Sequence, residues 1–110
     1  MTPSLVSTHV LDNATGAPAE GVAVVLQTRS GDHLAAAVTD ADGRAADLGP
    51  AGLAPGTYRL VFDTGAWFAA RGTDGFFPEV AVAFTVAGDA AHYHVPLLLS
   101  PFAYSTYRGS

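Results

Sequence analysis

Residues His92 to Ser110 read HYHVPLLLSPFAYSTYRGS. In an extended strand, successive side chains point to opposite faces. Tyr93, Val95, Leu97 and Leu99 therefore form one apolar face, and His92, His94, Pro96 and Leu98 the other. Ser100-Pro101 breaks the run, and a second alternating segment leads to Tyr107-Arg108-Gly109-Ser110. Two imidazoles on one strand face stand roughly 6–7 Å apart. That spacing suits two ligands of one metal, or two groups flanking one small substrate. A second face that mixes His, Pro and Leu also needs a cover.

The same alternation recurs upstream. In Leu5–Asp12, Val6, Thr8 and Val10 share one face and Leu5, Ser7, His9 and Leu11 the other. Val6 and Val10 inward puts His9 outward. Asn13–Gly21 (NATGAPAEG) is turn chemistry. Gly21–Arg29 is β-branched, with Val22, Val24, Leu26 and Thr28 on one face, and the Ser30-Gly31-Asp32 turn leads to an Ala-rich strand over Leu34–Thr39. Asp40-Ala41-Asp42-Gly43 is a tight turn that fixes the backbone of Arg44, a good place from which to aim a long side chain. Asp47–Gly56 is loop. Thr57–Asp63 alternates, with Tyr58, Leu60 and Phe62 on one face, and so does Val80–Val86, with Val80, Val82, Phe84 and Val86. Gly88-Asp89 is a turn. Thr64–Gly72 (TGAWFAARG) predicts the one short helix, with Thr64 as its cap and Gly72 as its end. Seven to eight short strands at roughly ten-residue spacing read as an all-β sandwich.

The chain has 110 residues, which predicts a single domain over residues 1–110. Charged residues make up only 14% of it against 49% hydrophobic, which points to apolar surface committed to subunit contacts. A net charge of −5, from five Arg and no Lys against ten acidic residues, argues against nucleic acid as a partner. With no Cys there is no disulfide, thiolate nucleophile or Cys-based metal site. The opening residues lack a basic segment followed by an apolar core, and no apolar run reaches roughly 18–20 residues. The expectation is a cytoplasmic protein without a leader and without a membrane partner.

Imidazole titrates near neutral pH and can take and return a proton there. His9 and His94 occupy strand centres yet point away from the core. Each alone reads as a surface histidine; on faces shared with Leu11, Pro96 and Leu98 they read as interface residues with a task. His33 lies beside a turn and is expected to be solvated. His92-x-His94, with His9 as a third nitrogen, has metal-ligand spacing, but H-x-H is short and common, and catalysis without metal is the preferred reading. Arg44 is either a solvated charge or an anion clamp for a planar group. Arg29, Arg59 and Arg71 fit strand outer faces and a helix end. The terminal Tyr107-Arg108-Gly109-Ser110 is otherwise a frayed edge.

The segments Ser7-Thr8-His9-Val10-Leu11-Asp12, Thr39–Arg44, Phe77-Pro78-Glu79-Val80 and His92–Ser110, with the terminal Tyr-Arg-Gly-Ser as the most specific, resemble the transthyretin-like 5-hydroxyisourate hydrolases. The resemblance covers nearly the whole chain. It implies the transthyretin β-sandwich, a homotetramer whose sites open from a central channel, and opening of the 5-hydroxyisourate ring in urate breakdown without metal or cofactor. By motif, it implies catalytic roles for His9, Arg44 and His94, and substrate binding by His9, Arg44, Tyr107 and Ser110. Which His is the base stays open. Phe102-Ala103 departs from the Tyr-Gly of many members. Two alternatives remain: a small-molecule carrier of the transthyretin type, and a zinc hydrolase using His9, His92 and His94.

Overall fold

The computed structural model describes residues 3–88 and 90–110. Asp89, half of the expected Gly88-Asp89 turn, lies outside the described residues, as do Met1 and Thr2. The strands are β1 (Val6–Asp12), β2 (Ala17–Pro18), β3 (Ala23–Thr28), β4 (His33–Val38), β5 (Arg44–Ala45), β6 (Gly56–Phe62), β7 (Val80–Val86), β8 (Tyr93–Ser100) and β9 (Ala103–Thr106). Seven have four residues or more. β2 and β5 are two-residue pieces; β2 lies inside the Asn13–Gly21 stretch that reads as turn, and β5 directly follows the Asp40–Gly43 turn.

Two sheets enclose one apolar core. One has the order β4-β3-β6-β7; the other runs β2-β1-β8-β9, with β5 also paired to β1. Alternation places the core residues as the sequence predicts. Val24, Leu26, Leu60, Phe62, Val80 and Val82 line one inner face, and Val6, Val10, Tyr93, Val95, Leu97 and Leu99 the other, all buried. Shielding these β-branched and Leu side chains from water is what holds the two layers together.

The pairing that organises the second sheet is not local. β1 and β8, from opposite ends of the chain, run parallel, with Ser7 opposite His94, His9 opposite Pro96 and Leu11 opposite Leu98. Paired residues share a face, so the outward residues of both strands form one surface. β5 adds Arg44 opposite His9 on the other edge of β1.

Helix α1 (Thr64–Ala70) is the one helix among the described residues. Its cap is Asp63 rather than Thr64: the Asp63 carboxylate accepts from the Ala66 N–H at 3.4 Å. Thr64 is the first helical residue, and its hydroxyl donates to the Phe77 carbonyl at 3.0 Å. The C-terminal end is as expected. Gly72 takes φ +64°, its N–H donates to the Ala69 carbonyl, and the Thr73 N–H donates to that of Phe68. Trp67 and Phe68 bury the inner side of the helix. No helix of the described residues is long and apolar enough to cross a membrane.

Candidate active site

The outward surface of β1, β5 and β8 carries the polar residues that the core cannot use. Arg44 leaves the Asp40–Gly43 turn in a fixed direction. The Asp40 carboxylate accepts from the N–H groups of Asp42 (2.9 Å) and Arg44 (3.0 Å), and the Asp40 N–H donates to the Arg44 carbonyl at 2.9 Å. Gly43 closes the turn at φ +76°, against the Val10 carbonyl, where a Cβ would collide with that oxygen. Gly43→Ala is therefore expected to lower stability by about 1–3 kcal/mol, because it adds left-handed strain to a contact the backbone must open. Urea midpoints check this, and turnover should fall with them as Arg44 is displaced.

His9 and Arg44 are cross-strand partners. The His9 Nε2–H donates to the Asp42 carbonyl at 2.8 Å, because a carbonyl only accepts; that bond engages Nε2 and not Nδ1. His92 and His94 have ring centroids 6.5 Å apart with planes 20° from parallel, within the spacing expected for strand neighbours. The Ser7 hydroxyl lies between them, 2.7 Å from His92 Nε2 and 2.8 Å from His94 Nδ1. The Gly109 N–H donates to the His94 carbonyl at 2.8 Å. A Cβ on Gly109 would come within 2.5 Å of the His94 ring, so only glycine lets the tail lie this close.

These groups border a depression of about 360 Å³, lined by Ser7, Arg44, His92, His94 and Ser110, with Thr8 and Ala46 on its wall. Its volume falls within the roughly 300–1,000 Å³ typical of small-molecule sites. Among the described residues, no Asp or Glu side chain lines it, and Arg44 supplies its one permanently charged side chain. Of the residues singled out from the sequence, Arg44, His92, His94 and Ser110 meet here, and His9 adjoins through its pairing with Arg44. Tyr107 does not line this recess. It is 57% exposed and borders the neighbouring cleft of about 380 Å³, more apolar and lined by Val82, Phe84 and Tyr93 among others. His94 lies on the boundary of both. The polar recess is the better candidate for chemistry because Ser7, His92, His94 and Arg44 line it together, whereas His94 and Arg108 border the other cleft among Val82, Phe84, Tyr93 and Val95. Ser7 escaped the sequence reading. Its one signal was its outward parity with His9.

Burial, then the Arg44 guanidinium, then His92 and His9, hold the His94 pKa below the ordinary imidazole value, partly offset by the Ser7 backbone. His94 is thus neutral at pH 7. The same shift affects stability. Above about pH 6.5 the ring is neutral in folded and unfolded chains alike. As pH falls below that, the unfolded chain binds the proton first, so stability is lost until the folded ring also protonates. Comparing urea midpoints at about pH 7.5 and about pH 5.5, we expect wild type to lose more stability than His94→Asn.

Among the described residues, no three His, Cys, Asp or Glu side chains converge as metal ligands. His92 Nε2 and His94 Nδ1 both face the Ser7 hydroxyl instead.

The model of the HIUase/Transthyretin family matches residues 6–109. The chain belongs to this family. A 5-hydroxyisourate hydrolase of Salmonella dublin is 48% identical, over 97% of this chain and 82% of that protein. The solved structure of Klebsiella pneumoniae 5-hydroxyisourate hydrolase superposes with a TM-score of 0.88 at 48% identity, covering 97% of this chain and all of the other. Sea bream transthyretin in complex with thyroxine gives 0.87 at 33% identity, over 96% and 94% of the two chains. The family thus spans enzymes and a thyroxine-binding protein on one sandwich. The backbone does not separate them, so function has to be argued from the side chains on the outer face.

Proposed function

We propose that this chain is a 5-hydroxyisourate hydrolase, opening the six-membered ring of that intermediate of urate breakdown by hydrolysis of its cyclic amide. The observation that carries the reading is a neutral, half-buried His94 lining one recess with the Arg44 guanidinium, with no Asp or Glu side chain among the described residues there. Relatives at 42–48% identity that bear the name 5-hydroxyisourate hydrolase support it. A carrier has no need of a proton acceptor beside a guanidinium.

In this reading His94 is the general base. Its Nδ1 is engaged by Ser7, which leaves Nε2 to take the proton of the attacking water. Arg44 holds the anionic substrate and stabilises charge developing on the carbonyl oxygen. His9, held by the Asp42 carbonyl, and Ser110 orient the ring from the sides. Tyr107, on the adjoining cleft, hydrogen-bonds the purine-like ring. Neither metal nor cofactor takes part, and neither nucleic acid nor a membrane is a partner.

The same reading takes residues 1–110 as one domain, acting in the cytoplasm as a homotetramer whose partner subunits cover the outer face and turn the open recess into a channel-facing site. The low charge content and the half-buried Leu11 and Leu98 on that face support assembly. A fully active monomer in sedimentation would contradict it. The test of function is to generate 5-hydroxyisourate from urate in situ and follow its absorbance decay. We expect acceleration by the protein that survives chelation. Unaccelerated decay together with tight thyroxine binding would favour the carrier, and loss of rate on chelation the zinc hydrolase.

A further inference from the structure

A hydroxyl between two imidazoles is constrained by its single proton. Ser7 Oγ lies within hydrogen-bond distance of both His92 Nε2 and His94 Nδ1. With both rings neutral, it donates to one nitrogen and accepts from the other. One of the two facing nitrogens therefore carries a proton and the other does not. Only the arrangement with the proton on His94 Nδ1 leaves His94 Nε2 free as a base.

The surroundings of the two rings differ. His94 is half-buried, with Arg44 from β5 and His9 from β1 as charged or titratable neighbours on the recess side, and Tyr107 and Arg108 along the adjoining cleft. His92 is exposed to solvent. A positive charge is costly beside a guanidinium in a partly desolvated site, and cheap where water reaches it. Ser7 itself is buried, so bulk water does not compete for its hydroxyl. The Gly109 backbone lies close to the Cδ2 edge of the His94 ring, where a Cβ would meet it at 2.5 Å.

We propose that Ser7 and His92 form a proton relay behind His94, positioning its tautomer and carrying charge out of the site during turnover. The proposal rests on the hydrolase reading above. As His94 Nε2 takes the proton of the attacking water, the His94 Nδ1 proton moves to Ser7 Oγ, and the Ser7 hydroxyl proton moves to His92 Nε2. His94 ends neutral, Ser7 is again a hydroxyl, and His92 is an imidazolium. When the ring C–N bond breaks, the reverse shift returns the proton through His94 Nε2 to the leaving nitrogen. No proton is lost in the cycle, and no oxidant or other reactant is needed. His92, which the sequence offers only as a metal ligand in the zinc-hydrolase alternative, is thus a positioning residue reached through Ser7.

Nitrogen-15 imidazole spectra of the intact protein test the relay without relying on turnover. In wild type at neutral pH, we expect His94 to be protonated at Nδ1 with Nε2 free. Ser7→Ala and, on the exposed side, His92→Ala should each shift His94 towards the Nε2–H form. Both should lower kcat about tenfold, less than the 10²–10⁴ attributed to a general base, with KM little changed and the acid limb of the kcat profile moved. Ser7→Thr, which keeps the hydroxyl, should restore most of the rate. A wild-type His94 protonated at Nε2, or variants with unchanged spectra and kcat, would overturn the relay while leaving wild-type turnover to stand. A wild type with no turnover would instead remove the hydrolase reading, and the relay with it.

Discussion

His94→Asn is expected to lower kcat/KM for 5-hydroxyisourate by about 10²–10⁴, the usual contribution of general-base catalysis. Asn keeps similar bulk and can still hydrogen-bond Ser7, so the recess should keep its shape. It cannot take a proton at neutral pH. The loss should therefore fall on kcat, with KM nearly unchanged, because the base acts in the transition state rather than in binding. The pH profile gives a second readout. Wild-type activity should decline on the acid side only below the ordinary imidazole range, because burial and Arg44 hold His94 neutral to lower pH. That limb should vanish in the Asn variant. The fold should be unaffected, since the ring lies on the outer face of β8 while Tyr93, Val95, Leu97 and Leu99 hold the core. Stopped-flow decay of the substrate across pH, with circular dichroism as control, checks all three points. A His94→Asn enzyme within a few-fold of wild type would transfer the role of base to His9.

Arg44→Ala is expected to cost about 10²–10³ in kcat/KM, the size of loss seen when one group stabilising a developing oxyanion is removed. It should raise KM as well, because the guanidinium is the one permanent cation among the described residues lining the recess. Arg44→Lys should recover only part, since a Lys ammonium keeps the charge but loses the planar fork. Arg44 is exposed, and its backbone is held by Asp40 rather than by its own side chain, so neither variant should unfold the protein. Removing the guanidinium also removes a group that depresses the His94 pKa. The acid limb of the rate profile should therefore move to higher pH in Arg44→Ala. A structural defect alone would not produce that displacement, and an unmoved limb would mean that Arg44 and His94 do not share one site.

Much of this was legible in the chain because strand alternation is a local property. The parity of Tyr93, Val95, Leu97 and Leu99 fixed their inward face, and with it the outward face of His94. The same argument on Val6 and Val10 turned His9 outward. The Asp40–Gly43 turn before Arg44 was legible because a tight turn has a local sequence code. What the sequence withheld depends on partners far along the chain. The parallel pairing of β1 with β8 sets residues from the two ends side by side, and no local pattern announces it. Ser7 therefore read as one more outward polar residue until His94 stood opposite it. Gly109 read as part of a frayed end until its backbone closed over the His94 ring. The helix cap went to Asp63 because its carboxylate reaches the Ala66 N–H, while the Thr64 hydroxyl is drawn to the Phe77 carbonyl. The two-residue strand Ala17–Pro18 lies within a turn-rich stretch and forms only because β1 offers an edge.

Catalysis of this kind requires His94 and Arg44 to act together on one substrate in one recess. The most direct measurement is the decay of 5-hydroxyisourate with the double variant His94→Asn/Arg44→Ala, set beside wild type and the two single variants. Groups that serve one transition state lose far less together than the product of their separate losses. The expected result is a double variant little slower than the worse single variant and close to the spontaneous decay, with its fold intact. Losses that multiply in full, or a double variant that still turns over near the wild-type rate, would contradict it.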